Sequence, residues 1–208
     1  MIVEMAGLPG SGKTTICRAV SVPYADKRSV PLWRLAPRWG VLRAAVWIAA
    51  LALSARPVTM DRFRRARKFI FFLRMYQGHE PVVLLDQGIV QKIWSLLAGA
   101  EKCQWWYADR LMEALVPFRP DWLVWVNVPT DVAVARISGR SHGTSRYDGL
   151  PAGEARALLD ERGGLFRQVF DCYAERAGVP VLELDGERPV EENARKIEAL
   201  LKGAGGRT

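Results

Sequence analysis

Cysteine is scarce in this chain of 208 residues: Cys17, Cys103 and Cys172 lie far apart, odd in number and without a CxxC pair. Such spacing supports neither a disulfide framework nor a zinc site, and it points to a reducing, cytoplasmic compartment. Long apolar runs are missing as well. The longest uncharged apolar stretch, Ala44 to Ala55, has twelve residues, whereas a helix that crosses a bilayer needs about 20. The opening MIVEMAGLPG has no basic region followed by a longer apolar core, so it does not read as a secretory leader. Acidic residues are nearly absent from one segment. Between Lys27 and Arg74, twelve Lys or Arg stand against Asp61 alone, a local charge of +11, while the rest of the chain carries −3. A basic block of this kind suits a phosphorylated ligand, a nucleic acid or an anionic membrane, and charge alone does not choose among them.

What is present fits one globular domain over residues 1–208, with 50% apolar and 25% charged residues. A chain of this length buries roughly 70% of its unfolded surface without help from metal or disulfides. Ile2–Ala6 reads as a first strand, and three further apolar runs, 81–86, 122–128 and 179–184, have the composition of strands buried on both faces. Helical stretches fall between them, at about 13–20, 62–76, 91–97, 104–115, 130–138, 153–177 and 189–202. That alternation predicts an α/β fold of three layers, a central parallel sheet with helices on both faces. No fixed-period repeat or flexible linker divides the chain, and 203–208 reads as a frayed tail.

The first strand runs directly into Gly7-Leu8-Pro9-Gly10-Ser11-Gly12-Lys13-Thr14-Thr15, which matches G-x-x-x-x-G-K-[ST]. Each part of the pattern has a reason. Glycines let successive backbone N–H groups converge on phosphate oxygens, Lys13 reaches the β- and γ-phosphates, and the Thr14 hydroxyl is placed to ligate Mg²⁺. The required strand–loop–helix context is met. Gly7, Pro9, Gly10, Ser11, Gly12, Lys13, Thr14 and Thr15 are therefore the predicted contacts to ATP. At the end of the run PVVLLD, Asp86 is expected at the C-terminal edge of a central parallel strand, where the ligand crevice of such sheets opens. It can hold Mg²⁺ through water, accept the proton of an attacking hydroxyl, or simply cap the helix that begins near Ile89.

GLPGSGKTT, with its GxxGxGK form, resembles the loop of the small P-loop kinases that act on nucleosides, nucleotides and small metabolites; no NKxD guanine signature occurs. In the thymidylate and deoxynucleoside kinases the second strand ends in an acid followed by arginine. Here Asp86 matches the acid, while Gln87 stands in place of the arginine, so Gln87 and Gln91 become the candidate hydrogen-bonding contacts to a neutral acceptor. Val128-Pro129, Ala133, Arg136 and Arg140 resemble the segment that leads into these kinases' lid, 136–152 in this chain. The resemblance implies that Arg136 stacks on adenine and that Arg140 and Arg146 stabilise the transferring phosphoryl, with Lys13 and Asp86 as the other catalytic residues. The turn Asp185-Gly186-Glu187-Arg188 would border the adenine.

The basic segment 27–75 contains Trp33, Trp39 and Trp47 and has no recognisable motif of its own. Its position suits an acceptor-side insert, with Arg64, Arg67 and Arg74 as candidate contacts to an acceptor phosphate. Peripheral attachment to an anionic membrane is the competing functional reading, and a core helix with a solvated charged face is the structural one. No nucleic-acid motif occurs, so no nucleic acid is expected as partner. The sequence as a whole predicts a cytoplasmic phosphotransferase with ATP and Mg²⁺ as cofactors and a small-molecule hydroxyl or phosphate as acceptor. A nucleoside or nucleotide is the leading acceptor, a sugar or antibiotic the alternative, and a homodimer stays open. A non-catalytic ATP-binding protein at a membrane surface is the reading from a different class.

Overall fold

The computed structural model describes residues 1–21, 38–54, 59–76, 83–97, 104–139 and 149–205. Four strands, β1 (Ile2–Ala6), β2 (Val83–Leu85), β3 (Trp122–Asn127) and β4 (Val181–Asp185), form one sheet in the order β2-β1-β3-β4. All three pairings are parallel, with Val3 opposite Trp122 and Leu123 opposite Val181. From β1 the chain crosses to β2 on one side and then returns past β1 to β3 on the other. The direction of winding thus reverses between β1 and β3, and a crevice opens at their C-terminal ends.

Strand alternation sorts the core into two faces. Val3, Met5, Leu84, Val124, Val126 and Leu184 pack under α1 (Lys13–Ala19) and α8 (Val190–Gly205). Ala6, Val83, Leu85, Leu123 and Trp125 face α2 (Arg38–Ser54), α3 (Met60–Tyr76), α4 (Ile89–Leu97), α5 (Trp105–Leu115) and α7 (Ala152–Ala177). The remaining helix, α6 (Thr130–Ser138), leans on α7 through Ala133, Val134, Ile137, Ala155 and Leu159. These are the three layers the sequence predicts.

Two elements differ from expectation. β4 is not buried on both faces: Val181 is 39% exposed and only Leu184 is fully buried. It is an edge strand, covered on one side by α8 and paired on one side only, so three of its five residues are exposed. The other difference is α2, whose apolar run shows no periodicity because residues on both its faces are apolar. Val41, Ala44, Ile48, Leu51 and Ala52 are buried, while Leu42, Val46 and Leu53 are 55–60% exposed. At the C-terminus, α8 continues through Gly205, taking in the first three residues of the expected tail.

Candidate active site

The loop from Gly7 to Gly12 joins β1 to α1 in a path that needs glycine. Gly7, Gly10 and Gly12 all have positive φ, of 148°, 88° and 95°. At Gly10 space is lacking too, since a Cβ there would lie 2.5 Å from the Ala133 carbonyl oxygen on α6. Lys13 opens α1 and is buried. Its ammonium donates to the Gly7 carbonyl at 2.7 Å, the Leu8 carbonyl at 2.8 Å and Ser11 Oγ at 3.1 Å. These neutral acceptors hold the cation inside the loop's curve, and phosphate oxygens entering there would offer stronger, charge-assisted bonds in exchange.

One residue further on, the Thr14 hydroxyl donates to Asp86 Oδ2 at 3.3 Å. Asp86 is the first residue after β2, which lies at an edge of the sheet rather than in its centre and pairs with β1 alone among the described strands, so these neighbours bring together two side chains 72 positions apart. A hydroxyl and a carboxylate beside a phosphate loop are a fitting donor set for Mg²⁺, which takes oxygen ligands and binds through one or two protein groups, water and substrate phosphates. Among the described residues no group of three or more His, Cys, Asp or Glu is placed to hold a metal. A metal ion at this loop would therefore depend on the bound phosphates.

On the α8 side of the loop lies a pocket of about 310 Å³, lined by Gly12, Thr15, Arg136, Gly186, Arg188 and Asn193 among others. Arg136 Nη2 donates to the Gly186 carbonyl at 2.9 Å, and the Gly186 N–H donates to the Asn127 carbonyl at 2.7 Å. Thus the turn after β4 and the helix after β3 close around one space beside the loop, bringing Arg136 and the 185–188 turn together. A second depression, about 380 Å³, opens on the α7 side of the loop, between Leu8, Trp125, Asn127, Thr130, Asp160 and Arg167. The Arg167 guanidinium lies over the Trp125 ring at 5.2 Å and is held by Asp171 and Glu183. Hydrogen bonding to Asp171, followed by that to Glu183, keeps Arg167 charged by raising its pKa, with burial opposing.

The remaining predicted residues sit elsewhere. Arg64 and Arg67 are exposed on the outer side of α3, and neither lines the two depressions. Gln87 is exposed in the turn before α4, and Gln91 is part-buried in its first turn, its Oε1 buried without a partner among the described residues. Arg140, Arg146 and the Arg74 side chain lie outside the described residues.

Sequence reasoning missed Glu4, which it counted within an apolar strand. Glu4 is fully buried on β1, and its Oε1 accepts the Val90 N–H at 2.8 Å. Gly88 leaves room for it, because a Cβ at position 88 would fall 2.1 Å from Glu4 Cδ. Burial pushes the Glu4 carboxyl up to about 7, against the opposing pull of the Ile89 and Val90 amides and of Lys92. At the other end of α4, Arg62 donates to the Leu96 carbonyl at 3.2 Å and Arg65 to the Ser95 carbonyl at 2.8 Å. A carboxyl at the N-terminus and two guanidinium groups at the C-terminus complement the helix dipole at both ends. That fixes α4 and the Asp86-Gln87-Gly88 turn leading into it. The signal available in the sequence was a single acid in an otherwise apolar central strand.

No protein-family model matches the chain. Over 140 residues it is 25% identical to a thymidylate kinase of Alkalilimnicola ehrlichii, covering 55% of this chain and 58% of that protein. The chain therefore spans less than two thirds of the length of the curated relative it matches. Among solved structures, deoxyadenosine kinase from M. mycoides with the products dCMP and a flexible dCDP bound superposes with a TM-score of 0.59. Its identity is 15%, and the match covers 98% of this chain and 100% of that one. The same kinase with bound dATP gives a TM-score of 0.52 at 16% identity, covering 97% and 100%. In sequence this chain is similar to a nucleotide kinase, and it has the three-layer fold of the P-loop nucleoside and nucleotide kinases.

Proposed function

We propose that the protein transfers the γ-phosphoryl group of Mg·ATP to a nucleoside or nucleotide. The observation that carries this reading is the contact of Thr14 with Asp86 beside a loop that holds Lys13. On this reading the adenine enters the pocket beside Arg136 and Gly186, and the triphosphate lies along the backbone from Gly7 to Thr15. Lys13 releases its carbonyl partners to hold the β- and γ-phosphates, while Thr14 and Asp86 would hold Mg²⁺. Bound Mg²⁺ would neutralise charge that builds on the phosphoryl oxygens.

The acceptor approaches Asp86 from the side away from the adenine. If its hydroxyl attacks, the Asp86 carboxylate is the group positioned to take the proton; if a phosphate attacks, no base is required. Gln87 and Gln91 orient the acceptor by hydrogen bonds; Arg64 and Arg67, exposed on the outer side of α3 and lining neither depression, are not assigned to it. Arg140 and Arg146, from the lid that would span 136–152, supply positive charge to the transferring phosphoryl, as Lys13 alone does not balance it. Residues 1–208 act as one domain in this scheme, with 27–75 as its acceptor-side insert, and the dispersed cysteines fit work in the cytoplasm.

The test is release of ADP from Mg·ATP by the purified protein, with thymidylate, deoxyadenosine, other nucleosides and nucleotides, sugars and aminoglycosides offered in turn. Release stimulated by a nucleoside or nucleotide is expected. Stimulation by a sugar or antibiotic alone would replace the acceptor class, and release that no acceptor stimulates would overturn the kinase reading.

A further inference from the structure

Seven large apolar side chains stand exposed among the described residues, and six of them belong to one group of helices. Leu42, Val46 and Leu53 lie on α2, Met60 and Phe63 on α3, and Trp106 on α5, each 54–67% exposed. α2 packs against both α3 and α5, and Trp47 on α2 meets Trp106 edge to face at 5.5 Å. On α2 the exposed residues, with Ala49, recur at spacings of four, three and four, which makes one stripe along the helix opposite the buried Val41, Ala44, Ile48 and Leu51. Phe63 follows Met60 by one turn. A soluble surface rarely gathers this much apolar area in one place without a use for it.

Charge identifies the occupant. Arg64, Arg67 and Lys68 are exposed beside Phe63 on the same outer side of α3, and none of them makes an ion pair with a described residue. The one acid of that helix, Asp61, is already paired with Arg65. The exposed side of α2 has no acid of its own, and its Arg43 is paired with Glu113 of α5 at 3.5 Å, so the uncompensated charge of the face is that of Arg64, Arg67 and Lys68. Two copies of this face related by a two-fold axis would bring like charges together, which disfavours self-association. An anionic lipid surface meets both demands at once, apolar side chains entering the acyl boundary and basic ones staying among the headgroups. Crossing is not required, and no helix among the described residues is long and apolar enough for it.

From this juxtaposition we propose that the α2–α3 face, with Trp106 of α5, docks the protein peripherally on an anionic membrane, α2 lying along the interface. The proposal does not depend on the kinase reading, because it rests on residues outside the phosphate loop. The test is flotation of the full chain with vesicles of phosphatidylcholine alone and of phosphatidylcholine mixed equally with phosphatidylglycerol, at low and high salt. Binding to the mixed vesicles only, weakened by salt, is expected. Arg64→Gln with Lys68→Gln should reduce partitioning about thirtyfold, taking about 1 kcal/mol per basic residue near the surface. Leu42→Glu with Val46→Glu, both at exposed positions, should abolish binding with an unchanged circular dichroism spectrum. Failure of the parent to float with the mixed vesicles would overturn the proposal. So would a parent dimer that Leu42→Glu with Val46→Glu converts to a monomer without any vesicle binding, since a second copy would then own the face.

Discussion

Lys13 and Glu4 are both buried ionisable groups, and their surroundings set different consequences for losing them. Lys13 has three loop oxygens within 3.1 Å, so Lys13→Ala leaves acceptors unmatched and removes the cation that faces the phosphates. Stability should fall by about 1–3 kcal/mol with the fold retained, while phosphoryl transfer falls about a hundredfold or more. Chemical denaturation together with turnover checks both, and transfer within a few-fold of the parent would remove Lys13 from the mechanism. Glu4 concerns pH. Its carboxyl titrates near 7 when folded and near 4.5 when unfolded, so between those values the native state holds a proton that the unfolded chain has released. Stability from this group is therefore full below about pH 4.5 and declines as pH rises to about 7, by on the order of 3 kcal/mol. Glu4→Gln keeps an acceptor for the Val90 N–H and cannot ionise. Urea midpoints measured from pH 4.5 to 8 should decline through that window in the parent and stay nearly level in the variant; parallel profiles would contradict the assignment.

Among the elements, α4 links the basic segment to the site. Arg62 and Arg65 of α3 hold its C-terminal carbonyls while Glu4 holds its N-terminal amides, and the turn bearing Asp86 leads straight into it. Arg62→Met keeps much of the buried volume and loses the cation, so stability should drop by about 2 kcal/mol. A shift of the urea midpoint at constant slope measures it, and no shift would mean that the guanidinium contributes little to holding α4. This arrangement also marks where sequence patterns stop being informative. The spacing from Gly7 to Thr14 encodes a phosphate loop because the chemistry is local, and α6 begins and ends where its apolar positions predict. The meeting of Thr14 with Asp86 follows from two strands pairing beside each other, a neighbour order that the succession of strands and helices leaves open. Glu4 is hidden as well, since its partner amides lie 86 residues away and nothing near it in sequence marks the contact. α2 escaped for another reason: an all-apolar run carries no period, so a half-exposed helix and a buried one look alike. The outward placement of Arg64 and Arg67 depends on which face of α3 meets the core, and Arg62, Ala66, Phe69 and Leu73 decide that by burial.

At the scale of the whole molecule, two regions carry separate demands. The sheet edge gathers the loop, Asp86 and the Arg136 pocket, where opposite windings from β1 to β2 and back to β3 open a crevice. The α2–α3 face lies on the far side of a helical layer, apolar and basic, and serves attachment rather than chemistry. The central claim is that the sheet edge transfers a phosphoryl group, and tracing that group tests it most directly. ATP labelled in its γ-phosphoryl is incubated with Mg²⁺ and each nucleoside or nucleotide, using the parent, Lys13→Ala and Asp86→Asn. The account predicts that the label appears covalently on one acceptor with the parent, is lost with Lys13→Ala, and falls far more than ATP affinity with Asp86→Asn. Label that stays in ATP or appears only as free phosphate with every acceptor, or that reaches an acceptor equally with all three proteins, would contradict it.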